Sequence, residues 1–213
     1  MRDWRASGDQ NGLAETLNTA GLIAEAQANY ARAAEIYREG LAVRRAQKDQ
    51  AGIALLLNNL AGALIHLEEY AAAEAACAES FARAEKLGHR RLIGAVHFDL
   101  GVLAQHQNDL PRAAQNFRAA LALFHQFGDQ HRVVGCIERL AHIAVARGQP
   151  LDAARLFGAA EVLRERIGFP IQASYATEYA HAVAAARAQW DADAFARAWA
   201  EGRAWTVEEI LKL

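Results

Sequence analysis

The stretch from His97 to Gln130, HFDLGVLAQHQNDLPRAAQNFRAALALFHQFGDQ, decides the fold. It reads as one helical hairpin. The first helix carries Leu100-Gly101, and the second opens at Asp109, whose side chain suits an N-cap, with Pro111 in the first turn where a missing N–H costs little. That second helix continues through Leu123 and Phe124 until Gly128 stops it.

Outward from the hairpin the same positions return every 40 residues without a gap. The columns are Leu60, Leu100 and Leu140; Ala33, Ala73, Ala113 and Ala153; Tyr37, Cys77, Phe117 and Phe157; and Gly8, Gly88, Gly128 and Gly168. A small residue after a leucine, then an alanine, three residues and an aromatic, resembles the core of a tetratricopeptide repeat. That repeat has a period of about 34 residues, so 40 − 34 leaves about 6 extra, assigned here to the second helix. HEAT-type repeats also tolerate a period near 40, but the Leu-Gly and Ala-to-Phe spacings favour the tetratricopeptide reading. The resemblance implies an all-α, right-handed α-α superhelix of such hairpins. One solenoid domain is expected over residues 1–213, with units at about 11–50, 51–90, 91–130 and 131–170 and capping helices over 171–213.

Along the chain, Leu17, Ala20, Gly21 and Ala24 form a buried stripe, with Gly21 admitting a partner backbone. Leu57, Leu60, Ala61 and Leu64 repeat it, as do Ile137, Leu140, Ala141 and Ala144. Past Pro170 the pattern degrades into a helix from Tyr175 to Ala188, a shorter one from Ala194 to Ala200, and a capping box at Thr206 and Glu209. This segment reads as the cap over the last open face, with Trp190, Phe195, Trp199 and Trp205 packed on the fourth unit.

Composition narrows the function. Hydrophobic residues are 53% and aromatics only 8%, which suits closely packed alanine-rich helices. A formal charge of −2, with acids and bases interspersed, lacks the positive field of a direct nucleic-acid binder. No apolar run approaches the ~20 residues of a membrane span, and Cys77 and Cys136 read as reduced core thiols, so a cytoplasmic location is expected.

No nucleophile or metal motif is present: there is no HExxH, no G-x-S-x-G and no phosphate-binding glycine loop. No catalytic residue, cofactor or metal is therefore assigned. His66 and His106 share a column and His142 falls near it in the next unit, and with Glu138 they support only a distant alternative, a metal-dependent hydrolase.

The inner face of the superhelix is where a ligand is expected. The residues one step round from the buried stripe are Asn18, Leu22 and Glu25; Asn58, Ile65 and His66, beside Leu55 and Gly62; Phe98, Val102, Gln105 and His106; and Glu138 and His142. Asparagines offer donors and acceptors to an extended backbone, and Phe98 an apolar anchor. The expected occupant is a protein or peptide, with a small effector as a variant, and no lysine in these helices supports a carboxylate-gripping groove.

Asp152 to Pro170 (DAARLFGAAEVLRERIGFP) and Glu178 to Leu211 resemble the C-terminal end of bacterial signal-transduction ATPases with LuxR-type or SARP-type output domains. The most specific runs are Leu156-Phe157-Gly158-Ala159-Ala160-Glu161 and, after Phe195, Ala198-Trp199-Ala200-Glu201-Gly202-Arg203. The resemblance implies the non-catalytic sensor or partner-docking region of a transcriptional regulator. By the Gly8 register, Met1 to Ala6 read as the tail of a helix whose own repeat is missing. A fragment is thus expected, with Leu13 and Leu17 exposed at an open end that favours homo-oligomers; the alternative is a stand-alone adaptor that self-associates.

Overall fold

The structure is a computed structural model that describes residues 10–171 and 173–213. Among them every regular element is a helix. Two compact units result, one ending at His106 and the other beginning at Gln107.

The first unit holds α1 (Gln10–Ala26), α2 (Tyr30–Ala46), α3 (Gln50–His66), α4 (Tyr70–Lys86) and α5 (Arg90–His106). The second holds α6 (Leu110–Gln126), α7 (Gln130–Ala146), α8 (Pro150–Ile167), α9 (Ala173–Ala188), α10 (Ala192–Arg203) and α11 (Val207–Ile210). The all-helical hairpin architecture expected from the columns is present. The extra residues are not confined to second helices, however. Seven successive helices each have 17 residues and each linker has three, so the repeat of 40 is two equal halves of 20.

The linkers explain that regularity. Their middle residue adopts a left-handed backbone at every step: Ala28, Lys48, Glu68, Gly88, Asn108, Gly128 and Gly148, with φ between 56° and 67°. The next residue turns its N–H back into the preceding helix, as Asp49 does to the Arg44 carbonyl at 3.0 Å and Asp129 to that of Phe124 at 2.9 Å. This backbone pattern closes a helix by satisfying its last carbonyls. The same residue then caps the following helix: the side chains of Asn29, Asp49, Asp109 and Asp129 accept hydrogen bonds from Arg32, Gly52, Arg112 and Arg132 N–H groups. One short segment therefore terminates one helix and starts the next. Gly8 and Met1 to Ala6 lie outside the described residues.

Packing follows the sequence columns. Ala33, Ala73, Ala113 and Ala153 are all fully buried, as are Tyr37, Cys77, Phe117 and Phe157. Burying each large side chain of this kind contributes about 1.5–3 kcal/mol. Leu60 and Leu140 are buried, whereas Leu100 is only partly so, packed against the first unit's core. At Gly21 the space is filled by a side chain and not by backbone: a Cβ there would fall 2.2 Å from the Tyr37 ring. Ser80, fully buried, is satisfied by donating to the Ala54 carbonyl at 2.7 Å. Leu17 is buried and Leu13 partly buried against the core, which corrects the expectation that α1 exposes them; its exposed apolar side chains are Leu22 and Ile23.

Past α8 the regular alternation gives way. Gly168 ends α8 in the left-handed conformation. The helix α10 crosses α8 at two glycines: a Cβ on Gly202 would lie 1.9 Å from the Arg155 carbonyl oxygen, and one on Gly158 2.3 Å from that of Trp199. Around this crossing Trp199 Nε1 donates to Glu161 at 2.8 Å, Arg203 bridges Glu161 and Glu165, and Phe195 is buried. Trp205 receives the Arg155 guanidinium at 6.0 Å. Trp190 is 53% exposed, so it does not share the packing expected for all four aromatic residues. The capping box at Thr206 and Glu209 forms as read.

Candidate functional site

In the first unit, residues of α1, α3 and α5 spaced three, four and seven apart come to one helix face each, and the face carries amides and aliphatic groups. Asn59 Nδ2 donates to Asn18 Oδ1 at 2.8 Å, joining α1 to α3. Flanking this pair, Leu22 is 45% and Leu55 44% exposed. Glu25 is half-buried beside the Tyr37 hydroxyl; burial raises its carboxyl above the usual range while that hydroxyl works in the opposite direction. Gly62 lies across from it, its missing Cβ 3.8 Å from Glu25 Oε1.

The two histidines of this column each meet a tyrosine from the start of a second helix. His66 stacks on Tyr30 with ring centroids 4.0 Å apart and planes within 11°. His106 lies 5.8 Å from Tyr70 in a tilted contact. Phe98 and Val102 are partly buried on α5. The Oδ1 of Asn58 and the Oε1 of Gln105 are shielded from solvent and find no hydrogen bond among the described residues. Ile65 needs correction: at 1% exposure it is a core residue, turned inward by one helical step from His66, and presents nothing to a ligand.

In the second unit the corresponding face is already occupied by the chain itself. Glu138, at 8% exposure, is held by Arg164 of α8 at 2.5 Å. Burial nevertheless raises its carboxyl pKa, with Arg164 and Arg139 opposing. His142 Nε2 meets the Tyr175 hydroxyl at 2.6 Å, Arg139 reaches Glu178 at 3.5 Å, and the Arg164 guanidinium covers the Tyr179 ring at 4.7 Å. Glu138 and His142 thus form a packed polar layer under α9 and not an open surface, a correction to their expected role as ligand contacts. The residues missed by the sequence reading are Asn59, Tyr30, Tyr70, Arg164, Tyr175 and Tyr179. Tyr30 and Tyr70 had a signal: Tyr30 with His66 and Tyr70 with His106 are the same pair one period apart.

Among the described residues no three His, Cys, Asp or Glu side chains converge on a metal position. Burial pushes the Cys136 thiol far above its ordinary range, which leaves it protonated and unreactive. No described helix is long and apolar enough to cross a membrane.

Residues 52–126 match the family described as tetratricopeptide repeat. The chain is also similar to a crystal structure of BtubC (BKLC) from P. vanneervenii, with a TM-score of 0.63 and 21% identity over 77% of this chain and 68% of that one. At that identity the likeness concerns the fold. The comparison with curated proteins finds no match.

Proposed function

We propose that this chain, with tetratricopeptide repeats over 52–126, is a non-catalytic protein-binding scaffold whose first unit takes a peptide segment along α1, α3 and α5. The observation that carries the reading is the exposure of Leu22 and Leu55 on a face otherwise lined by Asn18, Asn58 and Asn59. Apolar side chains beside amides suit an extended peptide, which needs both backbone partners and side-chain anchors. Phe98, Val102, Gln105 and His106 extend this face along α5. The test is selection of peptides from a displayed library on the purified chain. Peptides should bind with the Leu22→Ser/Leu55→Ser variant at least about tenfold weaker while its helical circular dichroism is unchanged. Equal binding to that variant would remove the groove from consideration.

The finer reading places the chain at the cytoplasmic sensor or docking end of a bacterial regulator of the LuxR-type or SARP-type ATPase kind. Its support is that the two runs carrying that resemblance, Leu156 to Glu161 and Ala198 to Arg203, are the ones that build the glycine crossing of α8 and α10. A second reading, self-association through α1, is favoured by Ile23 at 54% exposure beside Leu22. Sedimentation of the chain and of Ile23→Ser tests it: a dimer lost in the variant supports it, and a monomeric parent rejects it.

A further inference from the structure

The first unit carries a charge at a place where the later repeats carry none. Glu25 lies in the last turn of α1, and the same position at each further step of 40 residues holds Ile65, Gln105 and Val145. Its neighbour Tyr37 belongs to a column that continues as Cys77, Phe117 and Phe157, so the hydroxyl also occurs there once. Ile65 at 1% exposure and the fully buried Phe117 and Phe157 show that apolar side chains fill these positions. Packing therefore does not require the acid or the hydroxyl.

Tyr37 and Glu25 come together against α1. The Tyr37 ring fills the space where a Gly21 Cβ would stand, one turn before Glu25, and its hydroxyl lies beside the carboxylate. Tyr37 is fully buried, yet that hydroxyl makes no hydrogen bond of full geometry among the described residues. The carboxylate also reaches α3, with Glu25 Oε1 3.8 Å from where a Gly62 Cβ would stand. No lysine or arginine pairs with Glu25 among the described residues, and neither α1 nor α3 contains one. A half-buried carboxylate without a counter-charge is costly, and a bound cation offsets that cost. An aromatic pair adjoins this end of the face: Tyr30, across the linker from α1, stacks on His66, one turn beyond Gly62. A guanidinium suits both surroundings, since its fork matches a carboxylate and its plane packs on rings.

We propose that Glu25 receives an arginine side chain of the peptide bound on the first unit, the guanidinium pairing with the carboxylate beside the Tyr30 and His66 rings. Tyr37 is a positioning residue that holds the carboxylate. The assignment rests on the peptide groove proposed above. N-Acetyl-L-arginine amide is the probe, titrated into the full chain at constant ionic strength and followed by NMR of the carboxyl carbons and the His66 ring. The Glu25 signal should shift saturably, and that of Glu15, exposed on the same helix, should not. N-Acetyl-L-citrulline amide, similar in shape but uncharged, should bind at least about tenfold more weakly. In Glu25→Gln, read from the His66 ring, arginine amide should lose a similar factor. Tyr37→Phe should keep the fold, because phenylalanine fills this column at 117 and 157. It should raise the pH midpoint of Glu25, whose carboxyl the hydroxyl lowers, and weaken binding by a smaller factor than Glu25→Gln. No saturable shift at Glu25 up to roughly 20 mM arginine amide, beyond millimolar affinity, would overturn the proposal. So would an equal response to citrulline amide, or parent-like binding by Glu25→Gln with its circular dichroism intact. Selected peptides without a common basic residue, together with an unmoved Glu25, would reject this site and keep the groove. A saturable arginine response with no selectable peptide would keep the cation site and remove the groove.

Discussion

His142 Nε2 and the Tyr175 hydroxyl lie 2.6 Å apart, while the opposite ring nitrogen, Nδ1, faces Glu178 Oε1 at 3.9 Å. Burial raises the tyrosine's pKa, so its hydroxyl keeps its proton; it donates to Nε2 in the tautomer protonated at Nδ1 and accepts from Nε2–H in the other. The same burial lowers the pKa of His142; Arg139 on its own helix acts in that direction and Glu178 of α9 against it.

The pH dependence follows with a definite sign. A histidine whose folded pKa lies below its unfolded value of 6.5 contributes stability that is full above that value and is lost as pH falls towards the folded pKa. Urea midpoints should therefore decline on acidification from about pH 7 to pH 5, with a slope of at most about 1.4 kcal/mol per pH unit. The difference between the parent and His142→Gln isolates the histidine. Parallel profiles for the two would show that His142 does not titrate with folding.

The buried ion pair makes a second prediction. Glu138→Gln leaves Arg164 at 7% exposure without its counter-charge, which should cost about 3–5 kcal/mol. Replacing both, as Glu138→Leu with Arg164→Met, should recover most of that loss because neither charge then needs solvation. Chemical denaturation of Glu138→Leu, Arg164→Met and their double closes the cycle; additive losses would mean the side chains are not coupled.

Lys48 and Glu68 hold φ of 58° and 61°, where a β-carbon is crowded by the following carbonyl. Gly88 and Gly128 occupy the same linker position without that crowding. Lys48→Gly and Glu68→Gly should each raise stability by about 0.5–1 kcal/mol, and Gly128→Ala should lower it by about 1 kcal/mol. Thermal unfolding of the three variants checks the order.

At the α8 and α10 crossing, even one methyl group must displace backbone. Gly202→Ala should cost at least about 3 kcal/mol or detach α10, beyond ordinary overpacking because the opposing atom is a carbonyl oxygen. Trp199 and Trp205 fluorescence should shift to longer wavelength in the variant. An unchanged spectrum and midpoint would place the helices further apart.

The helical hairpins were legible because their buried columns are chemically uniform: Ala33, Ala73, Ala113 and Ala153 admit nothing larger. The halving to 20 residues was not, since the left-handed linker residue is glycine at 88, 128 and 148 but alanine, lysine, glutamate and asparagine at 28, 48, 68 and 108. Backbone hydrogen bonds fix that turn, and they leave no trace in side-chain identity. The groove was legible as a set of faces. Which members stay open was not: Glu138 and His142 are covered by Tyr175, Glu178 and Tyr179, whose helix follows the break in the repeat and has no column to be read from.

Seven helices of one length joined by three-residue linkers set a rule for how this chain can change in size. One residue added within a helix rotates everything after it in that helix by about 100° and turns its buried alanines outward. Twenty added residues restore the rotation but exchange the two kinds of helix, so inner-face positions become outer ones. Only a block of forty returns every side chain to its own environment. Growth and loss are therefore quantised, and a hairpin grafted from one place in the array to another carries its surface chemistry with it while leaving the packing of its neighbours in register.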